Sequence, residues 1–254
     1  GRKDFMHRFY VAEDQILGEQ VRFNKTELHH IEKVLRLMPD DEIIIFDGSG
    51  KEYLVVLKPL AEGELGGIIL QQTVANREPV LKINLVQAIA KGEKMDLIIQ
   101  KAVELGVSKI TPVLTDRTVV KLFGDKAEKK QQRWQSIARE ACKQCRRNQI
   151  PEVFSIINLG EYLNDCTGET GIMLYETEPR QPIRTVFDNL KANIMASGQL
   201  NLLVGPEGGF SPPEAELAQR NGFVLTGLGP RILRTETAAL VALSILFYES
   251  GDLD

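Results

Sequence analysis

Cysteine is scarce in this chain. Its three residues, Cys142, Cys145 and Cys166, cannot make a disulfide framework, which points to a reducing compartment, the cytoplasm. Histidine is equally scarce: His7 and the pair His29-His30 stand without a cysteine cluster, so no metal site is spelled out. No apolar run approaches the roughly 20 residues of a membrane span. No signal peptide opens the chain, and residues 1–5, ahead of Met6, are left out of the fold reading. The glycine loops of the C-terminal third match neither G-x-x-x-x-G-K-[ST] nor G-x-G-x-x-G, which argues against a nucleotide-dependent enzyme.

An overall excess of positive charge is missing too, since the net charge is −4. The distribution is uneven, however. Residues 1–75 carry 9 Lys and Arg against 13 Asp and Glu, residues 76–150 carry 16 against 8, and residues 151–254 carry 6 against 14. A basic middle third in an acidic chain is a footprint for phosphates.

What is present falls into two parts. Residues 8–75 read as short strands: Arg8 to Val11, then Glu42 to Phe46 and Lys51 to Lys58 around the turn Asp47-Gly48-Ser49-Gly50, then Leu65 to Val74. One helix interrupts them, capped by Thr26, with Leu28, Ile31, Val34 and Leu35 at helical spacing. Short strands with one helix suggest a small β-barrel. Ala75 to Pro79 reads as a linker. After it, strands alternate with helices, the pattern of a mainly parallel α/β sheet. Strands are expected at Ile83–Ile89, Ile110–Leu114, Gly171–Tyr175, Leu200–Val204 and Phe223–Leu225, and helices at Glu93–Leu105 and from about Asp125 to Arg146. On the long helix Arg139, Lys143, Arg146 and Arg147 share one face. Cys142 and Cys145 lie near its end, away from the helix start that a redox pair needs, and read as packing residues.

The densest signal is Asn201 to Ala239. The apolar run Leu202-Leu203-Val204 ends in Gly205-Pro206-Glu207-Gly208-Gly209, and Phe223-Val224-Leu225 ends in Gly227-Leu228-Gly229-Pro230; a helix follows each. Ser211, Pro212 and Glu214 spell a capped helix start, Gly222 a helix stop, and Thr235 a candidate cap for the last helix. Ligands of open α/β sheets bind just beyond the carboxyl ends of such strands. The polar run Arg231, Arg234, Thr235, Glu236, Thr237 turns the second loop into a candidate site.

The stretches GPEGGFSPPE and LGPRILRTETAAL resemble the two C-terminal motifs of the SPOUT-class methyltransferases that modify a uridine at N3 in small-subunit ribosomal RNA. Lys91-Gly92-Glu93-Lys94-Met95, Ile99-Gln100-Lys101, Glu104-Leu105-Gly106, Glu140-Ala141-Cys142, Gln144 and Arg147-Asn148-Gln149-Ile150-Pro151 fit the same family, so the likeness spans nearly the whole chain. It implies an N-terminal PUA-like β-barrel for RNA binding (residues 1–75) and a SPOUT-type α/β domain with a deep trefoil knot (residues 76–254). It also implies S-adenosylmethionine as methyl donor, 16S ribosomal RNA of the small subunit as partner, and a homodimer. The donor pocket would be built from Tyr175, Glu176, Val204, Gly205, Pro206, Glu207, Gly209, Leu228, Gly229, Ile232, Leu233, Arg234, Glu236, Thr237 and Ala238, with Leu233 against the adenine. The RNA would be held by the barrel, including Arg8, and by the basic third through Lys91, Lys94, Arg139, Lys143, Arg146 and Arg147.

Uridine N3 is an imide, protonated at neutral pH, so a base or an enolate-stabilising cation should assist its attack. Arg234 can supply the cation, and Glu207 or Glu236 could accept the proton or else hold loop amides. The competing reading is a non-catalytic RNA-binding ribosome assembly factor, with the barrel as its working part; binding of S-adenosylmethionine separates the two.

Overall fold

The computed structural model describes residues 6–61, 63–74, 77–120, 122, 124–166 and 168–253, and two compact units emerge from it. The first takes in the chain up to Glu78 together with Cys142–Ile150; the second comprises Pro79–Ala141 and Pro151–Asp254. The expected linear division at residue 75 therefore differs from the observed one, because nine residues, the last turn of the long helix and the stretch that follows it, belong to the N-terminal unit.

The first unit holds β1 (Arg8–Tyr10), β2 (Ile16–Leu17), β3 (Gln20–Val21), β4 (Glu42–Phe46), β5 (Lys51–Pro59) and β6 (Leu65–Val74), paired in the order β1-β4-β5-β6-β3-β2. Among the described residues only the β1–β4 pair is parallel. Strand β5 shows why the sheet forms: Tyr53, Val55 and Leu57 alternate inward with half-exposed neighbours, the period-2 pattern of a one-sided sheet. They join Phe9, Val21, Phe23, Ile31, Ile43 and Ile45 in one core. Gly67 is needed because a Cβ there would lie 2.3 Å from Val55 Cγ1.

Helix α1 (Lys25–His29) is capped by Asn24, whose side chain accepts from the Glu27 amide, and not by Thr26. It runs on into a π-turn over His30–Val34. The wider turn rotates Val34 off the apolar face, so Val34 is exposed while Ile31 is fully buried.

The second unit contains β7 (Lys82–Ala88), β8 (Lys109–Leu114), β9 (Glu152–Val153), β10 (Ile157–Asn158), β11 (Gly171–Leu174), β12 (Gln181–Pro182), β13 (Gln199–Val204) and β14 (Phe223–Gly227). All pair in parallel, in the order β10-β8-β7-β13-β11-β14-β12, with β9 also on β8. The helices are α2 (Lys94–Leu105), α3 (Asp125–Cys145, whose last turn enters the first unit), α4 (Leu159–Asp165), α5 (Ile183–Ser197), α6 (Pro212–Arg220) and α7 (Thr235–Glu249). α4 and α5 have no counterpart in the sequence reading.

Two features of this order matter. β13 is inserted between β7 and β11, and β11 lies between β13 and β14. The carboxyl ends of three neighbouring strands therefore open into one place, where their loops meet. The capping box foreseen at α6 is present: the Ser211 hydroxyl accepts from the Glu214 amide, and a Glu214 carboxylate oxygen accepts from the Ser211 amide. Thr235, by contrast, is the first residue of α7 and not its cap, and its hydroxyl is used elsewhere.

Candidate functional site

The loops after β11, β13 and β14, with the first turns of α2 and α7, enclose a cavity of about 350 Å³. Apolar walls come from Leu174, Val204, Phe210, Leu228 and Leu233. Tyr175, Glu176, Gly205, Pro206, Glu207, Gly209, Ile232, Arg234 and Ala238 line it as well. Of the donor-pocket residues expected from sequence, only Gly229, Glu236 and Thr237 are not in its wall. Ile232 was expected to point inward; its side chain is instead 82% exposed at the rim.

The β13 loop is held in shape by its own backbone and by α7. Gly209 has φ +68°, and its amide donates to the Pro206 carbonyl at 2.9 Å. A Cβ at Gly209 would lie 2.9 Å from Glu176 Oε1, so glycine is required both for its φ and to leave room for that carboxylate. The Thr235 hydroxyl donates to the Gly205 carbonyl at 2.6 Å and accepts from Gln87 Nε2 at 3.0 Å. Gln87 is fully buried on β7. One threonine thus ties the last helix, the central strand and the glycine loop together.

Charge at the site is organised by Lys94. Its ammonium is 3.0 Å from Glu207 Oε1 and 3.9 Å from Glu236 Oε2. Glu207 Oε1 also accepts from the Lys91 amide at 3.1 Å. Burial raises the Glu207 pKa most strongly, but hydrogen bonds from backbone amides and from Lys94 together outweigh it and hold the carboxyl below its ordinary value. Glu236 Oε2 is buried and accepts no hydrogen bond. Among the described residues Arg234 makes an ion pair with neither carboxylate, and it is exposed at the rim. Lys94, expected on the RNA side, is therefore a wall residue of the cavity, and Lys91 contributes its amide while its side chain is exposed.

Sequence reasoning missed Arg180. It lies between β11 and α5, in a stretch without apolar periodicity, and nothing local marks it. Its guanidinium donates to the carbonyls of Tyr175 (3.4 Å) and Gly229 (3.2 Å) and lines the cavity.

The remaining residues assigned to RNA sit differently from the expectation. α3 ends at Cys145, and Arg146 takes φ +66°, so Arg146 and Arg147 do not continue the helical face of Arg139 and Lys143. Arg147 is buried, with a bidentate pair to Glu78. Lys143 pairs with Glu27 at 3.1 Å. The side chain of half-buried Arg8 is also largely covered: it donates to the carbonyls of Cys142 and Arg147 and to the Asn148 side chain, and its guanidinium lies 4.0 Å over the Phe46 ring. Burial, the largest influence, lowers its pKa to about 10 despite Glu52. These cations hold Cys142–Ile150 in the N-terminal unit. Charge counting could not distinguish them from solvent-facing ones.

Burial pushes the Cys142 thiol up to about 12, which suits packing and not redox chemistry. Among the described residues no group of three His, Cys, Asp or Glu could hold a metal, and no helix is long and apolar enough to cross a membrane.

A parallel α/β unit with its cleft at the carboxyl ends of three adjoining strands, preceded by a small β unit, defines a class. The family model for an RNA methyltransferase domain matches residues 76–247, and that for an RNA methyltransferase PUA domain matches residues 23–65. The ribosomal RNA small subunit methyltransferase E of Bacillus subtilis is 34% identical over 249 residues, 96% of this chain and 97% of that protein. The protein of that name from Mycobacterium tuberculosis is 30% identical over 92% of this chain and 88% of its own length. A crystal structure of the Neisseria gonorrhoeae ribosomal RNA small subunit methyltransferase E, bound to S-adenosylmethionine, superimposes with a TM-score of 0.83 at 36% identity, covering 96% of this chain and 98% of that one. The chain is an RNA methyltransferase by fold and sequence. More narrowly, it belongs to the ribosomal RNA small subunit methyltransferase E family.

Proposed function

We propose that this protein transfers the methyl group of S-adenosylmethionine to N3 of a uridine in 16S ribosomal RNA. The observation that carries the reading is the cleft itself: apolar walls wide enough for an adenosine, a glycine loop presenting its backbone, and Arg234 at the rim. The residues fit the donor. Leu174, Val204, Leu228 and Leu233 would enclose the adenine, loop carbonyls and amides would take its polar edge, and Glu176 would face the positive sulfonium. When bound, the donor supplies an electrophilic methyl that needs alignment and no acid.

The chain's residues do the rest on the acceptor side. Arg234 holds a uracil carbonyl with its planar fork and favours the deprotonated imide. The N3 proton goes to a carboxylate. Glu207 is the weaker base, since Lys94 and the Lys91 amide stabilise its charge. Glu236, whose Oε2 accepts no hydrogen bond and lies 3.9 Å from the same Lys94, is the alternative acceptor.

A homodimer belongs to the same reading. α7 is apolar round nearly its whole circumference, and Leu240, Val241 and Ile245 are only half-buried beside exposed Tyr248. The trefoil knot is likewise proposed, for the C-terminal unit. A cytoplasmic location is inferred with the same reading, from the ribosomal substrate it names. The test is mass mapping of 16S ribosomal RNA from cells with and without this protein, paired with donor titration. A methyl-uridine that disappears with the protein is expected; unchanged methylation with no donor binding overturns the reading in favour of an RNA-binding assembly factor.

A further inference from the structure

Beyond the residues that touch the acceptor, we propose that Arg180 is a positioning residue that fixes the β14 loop as a wall of the donor pocket. The proposal rests on the donor reading above. The argument starts from backbone groups. The β14 loop, residues 228–234, carries Leu228, Arg231, Ile232, Leu233 and Arg234, all in the cavity wall. Arg180 reaches into it with one arm, Nη2, to the Gly229 carbonyl at 3.2 Å. The other arm, Nη1, donates to the Tyr175 carbonyl at 3.4 Å in the β11 loop. Glu178 orients the group: its carboxylate accepts from Arg180 Nε at 3.4 Å and from the Arg180 amide at 3.0 Å.

The strand below is built to receive this side chain. At Gly227, the last residue of β14, a Cβ would lie 2.8 Å from Arg180 Cδ and 2.9 Å from Nε. The φ of Gly227 is not in the left-handed region, so its backbone would accept alanine. A side chain there would have to push the guanidinium aside. A planar fork with two spaced donors can span two carbonyls at once, which a lysine ammonium on the same stem cannot reproduce.

Two variants displace the fork by independent routes: Arg180→Ala deletes it, and Gly227→Ala evicts it while keeping the charge. Hydrogen exchange of the donor-free protein reads the loop directly, and calorimetry reads donor affinity. Both variants should speed exchange of the 228–234 amides and weaken S-adenosylmethionine binding about tenfold or more. The double variant should add little to either, because both remove one contact. Arg180→Lys should recover less than half of the loss on a logarithmic scale. Unchanged exchange at 228–234 in Arg180→Ala, or fully additive effects in the double variant, overturns the proposal. A wild-type protein that binds no S-adenosylmethionine sinks the donor reading instead, and the exchange result still decides whether Arg180 holds the loop.

Discussion

Thr235→Val removes one oxygen and preserves shape, and the structure allows its cost to be worked out. Thr235 is 5% exposed, and its hydroxyl makes two hydrogen bonds, to the Gly205 carbonyl and from Gln87 Nε2. Gln87 Nε2 keeps a second partner, the Ala88 carbonyl at 2.9 Å, so its loss is partial. The Gly205 carbonyl loses its threonine donor. One net hydrogen bond at about 1 kcal/mol plus part of a desolvation penalty of about 1–3 kcal/mol gives roughly 2–3 kcal/mol. For a chain of this size that corresponds to a fall in Tm of about 4–12 °C. Because Gly205 opens the pocket loop, donor affinity should weaken about tenfold as the competent loop conformation becomes a minority. Calorimetric unfolding and donor titration measure the two effects. Thr235→Ser, which keeps the hydroxyl, should lose about 1 kcal/mol and retain affinity. The reasoning fails if the valine variant melts within a degree of the serine variant and binds the donor as the wild type does.

Four further outcomes are expected. Gly209→Val should abolish donor binding in a folded protein, since its Cβ would press on the Glu176 carboxylate at a left-handed φ; unchanged titration calorimetry removes this loop from the site. Arg234→Ala should keep donor and RNA binding but lose about a hundredfold in turnover, whereas near-normal turnover would discard the catalytic role. Arg147→Ala should destabilise by about 3–5 kcal/mol, because it strands a buried Glu78 carboxylate, and leave the salt slope of RNA binding alone; Lys91→Gln should do the reverse, lowering that slope by about one unit. The pKa of Glu207 is depressed, so the stability it contributes is complete above its ordinary value of 4.5 and vanishes only as pH falls through the lowered folded value. The stability gap between wild type and Glu207→Gln should therefore persist at neutral pH and close in acid, and a gap that instead widens in acid would contradict the Lys94 pairing.

The parts legible in the sequence are those whose signal is local. Apolar runs cut by glycine located β13 and β14 to within two residues, and Ser211-Pro212-Pro213-Glu214 spelled its capping box outright. The glycine loops marked the cleft because a backbone that approaches a ligand must shed its Cβ. What escaped was set by distant partners. Arg180 earns its place from carbonyls five and forty-nine residues away. Arg8 looks like any surface cation until Cys142–Ile150 is seen folded against it, and Arg147 until Glu78 is seen to pair with it. The exposure of Ile232 at the cavity rim escaped because hydropathy reports what a side chain prefers and not what a rim requires. The π-turn at His30–Val34 left no trace, since one extra residue per turn hardly alters a four-residue pattern.

The return of Cys142–Ile150 to the N-terminal unit has a consequence for how the chain is made. Arg8 leaves the ribosome well before its acceptors Cys142 O, Arg147 O and Asn148 Oδ1, which lie 134, 139 and 140 residues further along the chain. At about 5–20 residues per second, the residues from 79 to 150 take about 4–14 s to appear. Through that interval the nascent β unit holds a guanidinium with no carbonyls to receive it, and a fragment ending at Glu78 would hold it that way permanently. The small unit therefore cannot be completed as its own strands emerge, and its last stretch is translated only after Pro79–Ala141 of its larger neighbour.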